Sequence, residues 1–422
     1  MNRRHFLKAL GMSGSTLSLP LMPLNLWGVT PNFNGDFLLY IQASGGWDVT
    51  SFCDPKTNIQ GEPVINNWAK NAEIQTAGRI NYAPVAENAT FFSDHYDKTL
   101  VINGINARTN THSAGARFNH TGSQVHGTPH LAAIYAQEKA KGMVMPVMAG
   151  TDFVSGGLLP PTALGPGAFK LINPNLWKPK VLDDAYLPEQ DLSAVRTFRR
   201  QRAENLNNKT HLLPKQRKQI LDYYNANTAN TLGFEHFQDM FFGLEQGKYM
   251  INRHSEALKV ALTAFYVGLG VAADMSIQGF DSHENHDSEF AQRMSLLTDA
   301  VGCAWHYADQ LGIADRLVVV ISSDFGRTPH YNSQGGKDHW HYGSTLVMKK
   351  NARWTNRMVG YTDDGHVGQP INPHTLKPDT TNGIEIEPRH VMQALRRMLG
   401  VAESASATQF DLAVPQEFNF FS

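Results

Sequence analysis

Cysteine is nearly missing from this chain. Two residues, Cys53 and Cys303, are all that 422 positions hold. Neither sits in a C-x-x-C pair, which excludes the thiolate zinc motifs. One disulfide is the most that two thiols allow, and sequence does not show whether they meet. Long apolar runs are missing too. No stretch of about twenty apolar residues occurs, so no helix of the mature body spans a membrane. An excess of either charge is also missing: 37 Lys and Arg stand against 38 Asp and Glu. That excludes general nucleic-acid binding through a basic surface. Charged residues reach only 18%, which fits neither a coiled coil nor a disordered chain. The 35 Gly and 21 Pro describe a loop-rich globular protein. Histidine is what the chain has in plenty. Eighteen are present, several in short clusters. An imidazole is either a solvated surface group or a metal ligand, and the count leaves both open.

The first residues carry an address. Arg3-Arg4-His5-Phe6-Leu7-Lys8 matches a twin-arginine export signal, followed by a weakly apolar stretch rich in Gly and Ser. Residues 1–30 are therefore expected to be a targeting segment outside the fold. The twin-arginine translocase is the expected partner during export, and the periplasm or exterior the destination. Residues 31–422 are expected to form the mature domain.

Strands and helices alternate along that domain. Apolar runs at 37–42, 99–105, 143–150, 317–321 and 344–348 read as strands. Residues 128–140 read as a helix. Phe290, Met294, Leu297, Val301, Ala304, Ala308 and Leu311 recur at three and four, which predicts a long amphipathic helix. A last helix is expected from Pro388, a residue suited to a first turn. The stretch from 188 to 273 reads as almost wholly helical, with its polar part, 188–250, as an insertion. The alternation predicts a parallel or mixed sheet with helices on both faces. In such sheets, sites form in the loops beyond the carboxyl ends of the strands.

Those loops carry the chemistry. Gly45-Gly46-Trp47-Asp48 follows the first strand. Thr111, His112, Ser113 and Arg117 follow the second. Asp281, His283 and His286 precede the long helix. Asp324 and Arg327 follow the buried strand at 317–321, and Lys337, Asp338, His339 and His341 lie in the next loop. A single Asp after a strand is commonly a turn former or helix cap. Five such loops together suit an open catalytic metal site. Carboxylate and imidazole are the ligand set of zinc and, with more oxygen, of manganese, magnesium or calcium. Ser113 stands at a helix start, where backbone N–H groups attract anions. It is either the cap of that helix or a reacting hydroxyl. Arg117, four residues on, shares its face and suits a phosphate or sulfate.

Taken together, the Arg-Arg-x-Phe-Leu signal, Gly-Gly-x-Asp, the His-Ser loop, GFDSHENH, SDFGRT, GGKDHW and GYTDDGH resemble the exported bacterial family known as domain of unknown function fifteen-oh-one. The resemblance covers nearly the whole chain, 188–250 the least. It implies the alkaline-phosphatase-like fold of phosphatases, sulfatases and phosphoglycerate mutases: a three-layer α/β/α sandwich with a mostly parallel central sheet. It also implies a metal set of Asp48, Asp281, His283, Asp324 and His339 for one or two divalent ions. Ser113 is implied as nucleophile, with Thr111 as the alternative, and Arg117 or Arg327 as the charge-stabilising group. The sequence departs from the pattern at Phe325, where relatives place a metal-binding His; His341, His112 or His286 are the candidates to replace it.

The function these readings imply is hydrolysis of a phosphate or sulfate ester, on a small molecule or glycan. The alternative is a catalytically degenerate exported protein that keeps the fold for binding or surface assembly. A third reading, an exported redox-metal enzyme, has no cofactor motif behind it.

Overall fold

A computed structural model describes residues 33–140, 143, 145–150, 152–165, 189–209, 212–213, 216 and 232–422. The expected targeting segment, 1–30, and part of the expected helical insertion lie outside the described residues. Within that insertion the described residues include two helices, Glu189–Asn207 and Leu232–Gly243.

Eight strands form one sheet: β1 (Phe37–Ser44), β2 (Thr99–Asn106), β3 (Val147–Ala149), β4 (Thr162–Ala163), β5 (Ala272–Gln278), β6 (Leu317–Ser323), β7 (Tyr342–Lys349) and β8 (Arg357–Val359). Their order across the sheet is β8-β2-β7-β6-β1-β5-β3-β4. Every pairing is parallel except those of β7, which runs antiparallel to both β2 and β6. β1, β2 and β6 are buried along nearly their whole length. That is the mark of inner strands covered on both faces, and it explains their unbroken aliphatic runs.

Side chains alternate along β1, so its two faces can be read from single contacts. Tyr40 hydrogen-bonds the backbone of Asn119 in helix α1 (His112–Thr121). Phe37, on the other face, stacks on Phe265 of helix α3 (Arg253–Tyr266), with centroids 5.1 Å apart. Helix α5 (Pro388–Met398) packs with both α1 and helix α2 (Leu131–Lys139), and the long helix α4 (His286–Gln310) packs with α3. The result is the expected three-layer α/β/α sandwich. Phe290, Met294, Leu297 and Val301 of α4 are buried, as their spacing predicts. Each contributes about 1.5–3 kcal/mol. Pro388 is the first residue of α5.

One expectation is corrected. The helical reading of 188–273 ran too far. α3 stops at Tyr266, Gly268 turns the chain at φ 72°, and Ala272–Gln278 is β5, paired directly with β1. The polar Asp274 in mid-strand broke the apolar run by which such a strand is recognised.

The parallel strands β1, β2, β5 and β6 all end on the same edge. β7 begins there, because it runs the other way. Loops after Ser44, Asn106, Gln278 and Ser323, and the loop before Tyr342, therefore meet at one edge of the sheet.

Candidate metal centre

The first loop turns on Gly45 and Gly46, with φ of 117° and 81°. Only glycine fits: a Cβ on Gly45 would lie 2.5 Å from the Asp281 nitrogen, and one on Gly46 2.7 Å from the Phe325 ring. The buried carbonyls of both glycines accept from Arg327, which is itself wholly buried. Arg327 also donates to the Lys337 carbonyl at 2.9 Å and to Asp281 Oδ1 at 2.6 Å. Four of its five N–H groups are spent inside the protein. It ties three loops together and gives Asp281 a cationic neighbour.

Asp281 is the centre of the cluster. Its Oδ1 lies 3.0 Å from His283 Nε2 and 3.2 Å from His339 Nε2, and its Oδ2 lies 3.4 Å from His112 Nε2. The two nitrogens of His283 and His339 are 3.0 Å apart. Each ring is held from behind. His112 Nδ1–H donates to Asp324 Oδ2 at 2.8 Å, His283 Nδ1–H to Asp338 Oδ1 at 3.0 Å, and His339 Nδ1–H to the Asn110 carbonyl at 2.8 Å. These acceptors fix the tautomers, so in the neutral rings all three Nε2 atoms carry lone pairs. The ligand atoms of His112, Asp281 and His339 lie within 4.8 Å of one another, and His283 meets Asp281 and His339 from one side. His112 Nε2 is buried without a hydrogen-bond donor. Such an arrangement needs a cation among its members, and imidazoles backed by carboxylate or carbonyl acceptors are the usual support of a metal ligand.

The electrostatics agree. Burial pushes the Asp281 carboxyl up, but the Arg327 guanidinium outweighs it and holds the pKa down at about 2. The hydrogen bond to Asp324 raises the His112 pKa against the effect of burial. A proton and a divalent ion therefore compete for His112 Nε2. The Asp281 side chain is 46% exposed, so the cluster is open to an incoming ligand.

The expected residues divide into three groups. Asp281, His283 and His339 come together, with Arg327 against Asp281. Asp324 stands behind them: buried, it accepts from Gln42 and Gly45 as well as His112, and orients that ring. Asp48 is elsewhere. It accepts from Lys337 Nζ at 2.8 Å and pairs with His286 Nε2 at 3.0 Å, in a fully buried network with Thr50 and Asn66. Ser113 is exposed on the first turn of α1, and Arg117 donates to the Gln124 carbonyl at 3.2 Å. Neither is held against the cluster. Phe325 packs between His112 and His339, with ring centroids 4.9 and 4.8 Å away. His112, read from sequence only as a substitute ligand, faces Asp281 directly. The signal for it was its position at the start of a helix beyond a strand end. Lys337 and Asp338 were read only as members of their strand-end loop, and Asn110 carried no signal, since it acts through its backbone carbonyl.

A cleft of about 280 Å³ adjoins the cluster, lined by Asn106, Arg108, Thr109, Asn110 and His341. Asn110 is shared: its carbonyl holds His339. Arg108 is half exposed and pairs with Glu385 and Glu387.

None of the curated proteins matches this chain. Among solved structures it is similar to the alkaline phosphatase from the Antarctic bacterium TAB5, at 11% identity and a TM-score of 0.36, over 87% of this chain and 99% of that one. It is similar to a structure from work on glycosaminoglycan metabolism by Bacteroides thetaiotaomicron, at 10% identity and a TM-score of 0.36, over 92% and 77%. A third, solved with its substrate D-glucosamine-2-N,6-O-disulfate, is similar at 10% identity and a TM-score of 0.36, over 89% and 78%. Residues 244–401, which carry Asp281, His283, Asp324, Arg327 and His339, match the model of the family described as "Protein of unknown function (DUF1501)".

Proposed function

We propose that the chain is an exported metal-dependent hydrolase acting on a phosphate or sulfate ester of a small molecule or glycan. The observation that supports this reading is the convergence of three imidazole Nε2 atoms on Asp281, each ring pinned through Nδ1 by an acceptor. In this reading His112, Asp281, His283 and His339 hold one divalent ion. A divalent ion bound there supplies Lewis acidity toward an ester oxygen. Asp324 and Asp338 orient the rings and raise their basicity. Arg327 keeps Asp281 ionised and fixes the loop that presents it. The cleft beside Asn110 takes the substrate, with Arg108 at its wall. Ser113 is the candidate nucleophilic hydroxyl, on the turn next to His112, where backbone N–H groups favour an anion.

The degenerate reading has an observation of its own. Asp48, expected as a metal ligand, already has a cationic partner in Lys337, and Phe325 offers no ligand. In our reading this edge of the sheet therefore holds one ion rather than two.

The test is zinc and manganese binding by the full mature chain, beside hydrolysis of p-nitrophenyl phosphate, p-nitrophenyl sulfate and sulfated sugars. Asp281→Asn and His339→Gln are expected to lose metal and hydrolysis together. Metal binding with no hydrolysis of any ester would select the binding-protein reading. A folded chain that takes up no metal at this edge and hydrolyses no ester would overturn the hydrolase reading.

A further inference from the structure

We propose that His120, His130 and Asp274 form a second, buried site for one divalent transition-metal ion, with zinc as the probe. The site lies under the sheet edge, on the face covered by α1 and α2. Asp274 is in the middle of β5, between Tyr40 of β1 and Ala149 of β3 in register. His120 comes from the last turn of α1. His130 stands at the N-cap of α2, where its side chain makes no capping bond and meets Asp274 instead.

All three are nearly sealed: 6%, 6% and 7% exposed. His130 Nδ1 lies 3.1 Å from Asp274 Oδ2, and His120 Nε2 lies 3.6 Å from Asp274 Oδ1. One ligand atom from each residue falls within 4.8 Å of the others. The imidazole–carboxylate distances bracket the edge of a tetrahedral zinc shell, about 3.3 Å for bonds near 2.0 Å. Two imidazoles and one carboxylate form a three-ligand set used by zinc and other first-row ions.

A second observation points to a missing ligand. His120 Nδ1–H donates to the Ala116 carbonyl at 2.9 Å, so in the neutral ring Nε2 holds the lone pair. That nitrogen is buried without a hydrogen-bond partner. It faces a carboxylate oxygen, which is also a lone-pair donor. Placing a proton there makes a cation whose distance to Asp274 is too long for a hydrogen bond. The His120 and His130 rings stack at 4.3 Å, an arrangement that two charged imidazoles resist. A metal ion satisfies both nitrogens and the carboxylate at once. The Ala116 carbonyl behind His120 is then the outer acceptor that fixes a ligating ring.

The walls say what such an ion would do. The Tyr40 ring lies 4.6 Å from His120 and Phe153 lies 4.8 Å from His130. A site closed by aromatic rings is structural. It would tie β5 to both ends of the α1–α2 connection and so fix the helix whose first residue is His112.

The experiment uses the mature chain carrying Asp281→Asn with His339→Gln, which removes the strand-end centre and keeps the two sites separable. After chelation and dialysis this protein is expected to take up one equivalent of zinc. X-ray absorption is expected to give nitrogen and oxygen scatterers near 2.0 Å, with the outer-shell signature of imidazole. Adding His120→Gln, His130→Gln or Asp274→Asn is expected to abolish uptake, with circular dichroism checking the fold. Failure of the parent double variant to bind zinc while folded would overturn the proposal, leaving a plain His120–Asp274 ion pair. Bound zinc that lacks imidazole neighbours, or that survives all three added substitutions, would overturn it equally.

Discussion

Asp48 and Lys337 face each other with both side chains wholly buried. Burial alone would push the Asp48 carboxyl up. The Lys337 ammonium and the bond from His286 more than offset that and hold it well below the usual carboxylate range. A group depressed in the fold stabilises fully above its ordinary value, near pH 4. That stabilisation is lost as pH falls through the depressed folded value. Asp48→Asn leaves Lys337 charged and unpaired in the interior, and is expected to cost about 3–5 kcal/mol at pH 7. The same variant is expected to lose part of the acid-side slope of stability below pH 4. The double variant Asp48→Asn with Lys337→Met is expected to recover much of the loss, because it leaves no buried charge. Urea unfolding of these two variants and of Lys337→Met alone, from pH 2 to pH 7, measures all of this; additive losses would show that the pair does not interact. The sequence reading gave Asp48 to the metal set, and the structure sets Lys337 and His286 against it. A carboxylate after a strand looks the same whether its cation is a metal or a lysine 289 positions on. Phe325 was legible as a departure, and its ring packs between the imidazoles of His112 and His339.

Helix α1 links both candidate centres through one rigid segment. His112 opens it and His120 closes it, and between them Asn119 donates to the Asp324 carbonyl at 3.0 Å. The helix lies this close to Asp324 because Gly115 has no side chain. A Cβ there would stand 2.3 Å from the Asp324 carbonyl oxygen and 2.9 Å from the Phe325 ring. Gly115→Ala must push α1 outward, with an overpacking cost of about 1–3 kcal/mol. It would also draw His112 off Asp324, and loss of such a supporting bond lowers metal affinity by roughly 10–100-fold. Gly150→Ala is the control, since nothing lies within 4 Å of its added carbon. Calorimetric zinc titration and thermal unfolding of both variants check this; equal affinities would remove α1 from the support of the centre. The sequence made α1 recognisable as a helix start carrying functional types. It hid β5, whose Asp274 interrupts a run too short to announce itself. That miss also hid the buried cluster, because Asp274 lies 144 positions beyond His130 and reaches the two histidines only through β5.

The whole molecule explains why strand ends were a good guide. Parallel neighbours deliver their loops to one edge, so Asp324 could be placed there from its apolar run alone, whereas Asp281, whose strand went unread, was placed only as preceding the long helix. His339 fits the same rule for the opposite reason: it precedes β7, which runs antiparallel and starts at that edge. What the rule does not carry is the difference between a ligand and its support, which depends on side-chain directions set by packing across the sheet. The thiols are a case in point. From sequence Cys53 and Cys303 were compatible with one disulfide in an oxidising compartment. In the structure both are free and fully buried, Cys53 just after the first loop and Cys303 in α4. Burial raises both thiols, Cys303 to about 12, so neither is a reactive thiolate at neutral pH. Stability therefore rests on the sheet, its two helical layers and the buried polar networks, with no covalent link between thiols. The expected result is no reaction of the native chain with an aromatic disulfide reagent and two thiols titrated after unfolding in guanidinium. Dithiothreitol is expected to leave the midpoint of thermal unfolding where it was. A midpoint that falls on reduction, together with fewer than two titratable thiols in the unreduced unfolded chain, would mean that the cysteines pair and that the packing around α4 differs from that described.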